Sequence, residues 1–189
     1  MTKSILLVGV GGQGTILASK ILTLGLMEAG YDVKMSEIHG MSQRGGSVSS
    51  QVRYGEKVMS PVIEKGNADI IVSFEKMEAL RYLDYLKEGG VIVVNDEEIP
   101  SMSVITGEEV YPDDILDEIR LHAKETVVEA TKLARELGNE KAANMILLGT
   151  IIKAMGLEHI DWEAILKDNV KPQFFELNCK AISTGMNLM

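Results

Sequence analysis

The sequence predicts an α/β fold on a mostly parallel sheet, and three observations carry that prediction. An apolar strand runs straight into a glycine-rich turn and then a helix at Ser4 to Thr15, S-I-L-L-V-G-V-G-G-Q-G-T. Two further short apolar runs, at residues 68–74 and 91–95, read as buried parallel-type strands. The last third of the chain reads as helices. Within the first stretch Gly9, Gly11 and Gly14 fit G-x-G-x-x-G, with Gly12 as an extra glycine. Ile5 to Val8 precede the motif and a helix from about Gln13 to Glu28 follows, the context of a Rossmann-like fold. Such glycines let the backbone turn where a Cβ would clash, and they leave N–H groups at a helix N-terminus that attract phosphate or another anion. Alternatively they serve only close packing of strand on helix, and the sequence leaves both readings open.

In chain order, Gly30 and Tyr31 stop the first helix, and Asp32 to Ile38 forms a second strand that completes a βαβ unit. Glu37 lies 23 residues beyond Gly14, where a dinucleotide site places the acid that holds a ribose hydroxyl. An acid near the end of a strand is common, however, and the ordinary surface acid is the favoured reading. His39 to Ser47, H-G-M-S-Q-R-G-G-S, has no hydrophobic period and leaves the second strand at the carboxyl edge of the sheet, where ligands bind in open α/β folds. Arg44 there offers a planar cation to phosphate or carboxylate, or it is a solvated side chain on an exposed loop. Ser47 to Tyr54, the Gly55-Glu56-Lys57 turn and Val58-Met59 read as a short hairpin inserted into the parallel sheet.

Ala68 to Phe74 is the third strand of parallel type, and Glu75 to Leu86 a helix stopped by Gly89 and Gly90. Val91 to Asn95 is the next strand, Asp96-Glu97-Glu98 a solvated turn, and Ser103 to Ile105 can form one more short strand. Pro112-Asp113-Asp114 opens a helix to about Ala123, because proline and acids suit a first turn. β-branched Thr126, Val127 and Val128 favour a last strand over Glu125 to Ala130 rather than one long helix. Thr131 to Leu137 is a helix ended by Gly138. Lys141 to Met155 is apolar nearly all round, so it is buried in this core or against a partner. Asp161 caps a short helix, and Pro172 starts the final one, to about Ile182. A single domain over 1–189 is expected.

Composition narrows the function. Nineteen Lys and Arg against 28 Asp and Glu give a net charge of −9, which argues against nucleic acid as a partner. Hydrophobic residues make up 46% but aromatics only 5%, so the core must be aliphatic. Neither a basic leader nor an apolar run of membrane-spanning length is present, which predicts a cytoplasmic protein with no membrane partner. Cys179 is the only cysteine, so this chain cannot supply the thiolates of an iron–sulfur cluster or a CxxC zinc site. His39, His122 and His159 form no metal-binding spacing, and no metal ligand or catalytic set is assigned here.

Four segments together are similar to one family: G-V-G-G-Q-G-T, S-E-I-H-G-M-S-Q-R-G-G-S-V, S-F-E-x-x-E-A-L-R-Y-L from Ser73 to Leu83, and A-A-N-M-I-L-L-G from Ala142 to Gly149. They resemble the gamma-type domain of 2-oxoacid:ferredoxin oxidoreductases, with the closest likeness to the indolepyruvate branch. The resemblance covers nearly the whole chain, and H-G-M-S-Q-R-G-G is its most specific part. It implies a cytoplasmic, anaerobic enzyme of aromatic amino acid catabolism that decarboxylates a 2-oxoacid oxidatively, reduces ferredoxin and releases an acyl-CoA. It implies further that thiamine diphosphate and [4Fe-4S] clusters reside in a larger alpha subunit, and that this chain, inactive alone, borders the coenzyme A site. The candidate cofactor-facing residues are then Gly9, Gly11, Gly12, Gln13, Gly14, Ser42, Gln43, Arg44 and Gly45, with Arg44 and the Gly11 to Gly14 amides toward phosphates. Rival readings are a nicotinamide-dependent dehydrogenase using Glu37, an adenylating enzyme and a dinucleotide-sensing domain.

Overall fold

The computed structural model describes residues 2–39 and 45–189. Strand β1 (Lys3–Val10) leads through the glycine turn to helix α1 (Thr15–Glu28) and strand β2 (Asp32–His39). Then follow β3 (Ser47–Gly55), β4 (Ala68–Ser73), α2 (Lys76–Arg81), β5 (Leu86–Asn95), the single turn α3 (Met102–Ile105), α4 (Ile115–His122) and β6 (Glu125–Val128). The chain closes with α5 (Ala130–Glu136), α6 (Ala143–Ala154), α7 (Trp162–Asn169) and α8 (Phe175–Met186). The sheet order is β2-β3-β1-β4-β5-β6. β1, β4, β5 and β6 pair in parallel, whereas β3 is antiparallel to both β1 and β2. The mostly parallel sheet, the antiparallel insertion and the C-terminal helices are therefore all present.

The insertion is built from other pieces than the local pattern indicates. Its two arms are β2 and β3, and β3 slots between β2 and β1, with Val10 opposite Ser47 and Asp32 opposite Gly55. β3 is nearly all buried while β2 is mostly exposed, so the charged strand D-V-K-M-S-E-I-H takes the edge, where polar residues discourage further pairing. Val58 and Met59 do not return as a strand. The Val58 N–H donates to Asp32 Oδ2 at 2.8 Å, Ile63 N–H to Gln51 Oε1 at 2.6 Å, and Arg53 Nη1 to the Ser60 and Val62 carbonyls. These bonds strap the segment across β3.

Two more local expectations give way to tertiary pairing. The helix after β4 ends at Arg81 and a 3-10 turn at Leu83–Tyr85 follows, so that β5 starts at Leu86 and Gly89 and Gly90 lie inside it at a shift in register. The glycines that read as a helix stop thus mark a strand irregularity. Ser103 to Ile105 belongs to the turn of helix α3, whose Ser101 side chain accepts from the Val104 N–H.

Side chains alternate between the two faces of the sheet. Ile5, Leu7, Ile70, Val72 and Val93 pack under α1, α5, α6, α7 and α8, and Leu6, Val8, Ile71, Ile92 and Val94 under α2 and α4. No helix among the described residues is long and apolar enough to cross a membrane.

At the amino edge, Asp69 accepts from the Ser4 N–H at 2.8 Å and from the ammonium groups of Lys3 and Lys87. Burial pulls this carboxyl upward, but Lys87, the Ser4 amide and Lys3 together hold it below the usual aspartate value. A lowered folded pKa gives stability that is complete above the unfolded value and disappears as pH falls through the folded one. Asp69→Ala should therefore cost about 1–3 kcal/mol near neutral pH, since the Ser4 amide loses its acceptor. In urea titrations the gap between wild type and variant should narrow from about pH 5 downward, and a gap independent of pH would contradict the assignment.

Candidate functional site

The carboxyl ends of β1 and β4 meet where the fold switches faces, because α1 covers one side of the sheet and α2 the other. In open α/β sheets such a crevice is the place for a ligand. Here the glycine turn is fixed in detail. Gly14 is the residue preceding α1, with φ 81° and ψ 23°, a left-handed conformation natural only to glycine. A Cβ there would come within 2.6 Å of Asn144 Nδ2. Asn144, at the start of α6, instead donates from Nδ2 to the Gly14 carbonyl at 3.3 Å.

Gln13 turns inward. Its Oε1 accepts from the Val10 N–H and its Nε2 donates to the Phe74 carbonyl, both at 2.8 Å, so the side chain ties the ends of β1 and β4 together. Gly9 sits under it, close to Gln13 and Phe74. The Gly11 N–H donates to the Gly46 carbonyl at 2.8 Å, and the Gly45 N–H to the Gly11 carbonyl at 3.3 Å. The glycine turn and the Gly45-Gly46 segment are thus one hydrogen-bonded unit. Ser42, Gln43 and Arg44 lie outside the described residues.

Of the turn's amides, Gly11 and Gln13 are used internally. Among the described residues nothing accepts from the N–H groups of Gly12, Gly14, Thr15 or Ile16. These donors lie at the positive end of the α1 dipole.

Several residues that the motif did not single out hold this edge. Asn95, fully buried at the end of β5, donates from Nδ2 to the Phe74 carbonyl at 3.1 Å and to Thr131 Oγ1 at 3.2 Å, and accepts from the Ala130 N–H at 2.8 Å. Glu75 is also buried. Its Oε2 accepts from the Glu78 N–H at 2.9 Å, and its Oε1 from Ile99 N–H and the Tyr111 hydroxyl. Burial, then the Glu75 carboxylate, push the Tyr111 hydroxyl well above its ordinary pKa, so it remains a donor. Glu78 accepts from Ser47 Oγ and, at 3.1 Å, from Arg81 Nε. Ser47, Glu75, Glu78, Arg81 and Tyr111 line a cavity of about 390 Å³ beside Val10 and Gly45. The larger cavity, about 960 Å³ around Lys87 to Val91, lies at the amino edge, away from the glycine turn.

Glu37 accepts from Ser19 Oγ at 3.3 Å on the edge strand. With β3 between β2 and β1, it stands about 10 Å, two strand spacings, from the line of β1. That is one strand farther than an acid on a neighbouring strand. Cys179 is part-buried, and burial raises its thiol pKa, so it is no thiolate nucleophile at neutral pH. Among the described residues no group of three or more His, Cys, Asp or Glu could hold a metal ion.

Fold and site together define a Rossmann-like α/β domain whose glycine turn, at the point where the sheet switches faces, presents unengaged N–H donors. The chain belongs to the pyruvate ferredoxin/flavodoxin oxidoreductase family, which it matches over residues 4–188. It is 38% identical over 193 aligned positions to an indolepyruvate oxidoreductase subunit IorB of Pyrococcus horikoshii, covering 97% of this chain and 94% of the relative. It is 32% identical to a 2-oxoglutarate synthase subunit KorC of Methanothermobacter thermautotrophicus, over 99% of this chain and 95% of that one. Among solved structures, a keto/oxoacid ferredoxin oxidoreductase gamma subunit from Geobacter sulfurreducens superposes with a TM-score of 0.71 at 26% identity, covering 98% of this chain and 97% of that one. This chain is accordingly a small subunit of a multi-subunit 2-oxoacid oxidoreductase. The self-contained dehydrogenase and adenylating-enzyme readings are set aside.

Proposed function

We propose that the chain is the small subunit of an enzyme that converts indolepyruvate and other aryl pyruvates, with coenzyme A, to aryl-acetyl-CoA and carbon dioxide, the two electrons passing to ferredoxin. The observation that carries the substrate class is the 38% identity to an indolepyruvate oxidoreductase subunit along nearly the full length, against 32% to the 2-oxoglutarate relative. Iron–sulfur clusters do not fit this chain, because Cys179 is its one thiol. They belong, with thiamine diphosphate, to a larger alpha subunit that meets this chain at the glycine turn.

Coenzyme A does fit. The unengaged amides of Gly12 and Gly14, next to those of Thr15 and Ile16, suit a phosphate oxygen, and Arg44, the residue before Gly45 in the sequence, supplies the cation. Gly9, Gly11, Gln13 and Gly45 hold that turn in shape, and Ser42 and Gln43 precede Arg44 in the sequence. When bound, coenzyme A supplies the thiol that accepts the acyl group. The chain's own part is to orient it and to close the cleft against the alpha subunit.

Anaerobic co-expression with the candidate alpha chain tests the reading, with the purified complex assayed for iron, thiamine diphosphate and ferredoxin reduction. Turnover of indolepyruvate well above 2-oxoglutarate is expected; preference for 2-oxoglutarate would refute the substrate assignment. In the same complex Arg44→Ala should raise the apparent KM for coenzyme A about 10- to 100-fold with little change in kcat, the size of a lost charge-assisted hydrogen bond. An unchanged KM would remove Arg44 from the phosphate site.

A further inference from the structure

A second cavity, on the α1 face of the sheet, has chemistry that the activity proposed above does not use. It measures about 300 Å³, the lower end of the range for small-molecule sites, and lies between the first turn of α1, the starts of α6 and α8, and the segment joining α7 to α8. Leu17, Val170, Phe174 and Leu177 give it apolar walls, and Phe174 keeps 38% of its surface exposed.

The polar part of the lining is one-sided. Lys141 and Lys171 are on it and no Asp or Glu is, in a chain whose 28 acids outnumber its bases by nine. Among the described residues neither lysine ammonium has an ion pair or a hydrogen bond. Asn178, only 9% exposed, lines the cavity, and its carboxamide has no hydrogen-bond partner among the described residues. Asn144 is 5% exposed and uses only Nδ2, toward Gly14, so its Oδ1 is left without a donor. Neither carboxamide is shut off from water, so the hydrogen-bonding capacity that no protein group uses is open to a ligand that enters the cavity.

We propose that this cavity binds a small organic carboxylate with an aromatic body. The carboxylate takes hydrogen bonds from the Asn178 amide and one or both lysines, and the ring lies against Leu17, Phe174 and Leu177. A donor on the ring, such as an indole N–H, meets Asn144 Oδ1. Apolar walls with a few convergent polar groups are the usual make-up of a specific small-molecule site. The inference rests on this chain's own residues and does not depend on the identity of the 2-oxoacid.

The test is titration of the ¹⁵N-labelled full-length chain with indole-3-acetate, alongside acetate, which lacks the ring, and indole, which lacks the charge. Saturable binding of indole-3-acetate is expected, at least about tenfold tighter than either fragment, since each supplies only part of the contact. The shifts should centre on the side-chain amides of Asn144 and Asn178. Lys141→Gln with Lys171→Gln, both at exposed positions, should weaken binding about tenfold, and Asn178→Leu should abolish it while the amide spectrum reports the fold. The proposal is overturned by an absence of saturable binding, by fragments that bind as well as the whole, by shifts centred elsewhere, or by a lysine variant that binds like wild type.

Discussion

Gly185→Ala is expected to lower the melting temperature more than any other single methyl group added to this chain. Helices α6 and α8 cross with their backbones in contact. A Cβ on Gly185 would stand 1.8 Å from the Ile146 carbonyl oxygen, and one on Gly149 would stand 2.2 Å from the Ile182 carbonyl oxygen. Both obstacles are helix backbone, so no side chain can rotate away and the helices must separate. That loosens Ile146, Leu147, Ile151 and Ile182, all in the larger core. Overpacking of this kind costs about 3 kcal/mol, and for a domain of this size that is a fall of roughly 6–12 °C. Local propensity predicts the opposite sign, because alanine is better than glycine in a helix interior by about 1 kcal/mol. A calorimetric scan of Gly149→Ala and Gly185→Ala decides between them, and a raised melting temperature would mean that the close crossing is wrong.

Asn95→Leu is the second. The substitution keeps the approximate volume but removes the acceptor of the Ala130 N–H and the donor to the Phe74 carbonyl and Thr131. The Phe74 carbonyl still has Gln13, so the main penalty is the orphaned Ala130 amide at the start of α5. A loss of about 2–4 kcal/mol is expected, from one unsatisfied buried donor and two lost hydrogen bonds. Because Gln13 and Asn95 share the Phe74 carbonyl, Gln13→Ala and Asn95→Leu should combine non-additively. Strict additivity in a double-mutant cycle by urea titration would show that the two side chains do not act on one carbonyl. The same pair should depress the activity of the assembled enzyme, since β1, β4 and β5 would no longer be held in register at the edge that presents the glycine turn.

Much of the architecture was legible in the chain. β1, α1, β4, β6, α4, α6 and α8 each carry a local signal strong enough to survive packing: an apolar run, a glycine exit, a proline or aspartate entry. The glycine turn could be recognised because its requirement is local, a left-handed residue at Gly14. Where the sequence misled, the deciding contact was distant. Gly89 and Gly90 read as a helix stop until β5 pairs with β4 at Ala68 and draws them into a strand. Val58 and Met59 read as a strand until Asp32, Gln51 and Arg53 claim the segment's backbone. Asn95 and Asn144 could be found only through partners 35 and 130 residues away.

By itself, then, the sequence determined the α/β class, the glycine turn and the single thiol, and through the resemblance of four motifs the family, because periodicity, glycine placement, motifs and residue counts can all be read along the chain. Tertiary structure alone decided that β3 separates β2 from β1, that Gln13 is a strut, that Gly149 and Gly185 are the point of contact between two helices, and that four asparagines and two lysines meet in one cavity with apolar walls. Each of these depends on which backbone lies against which, and no local pattern encodes that.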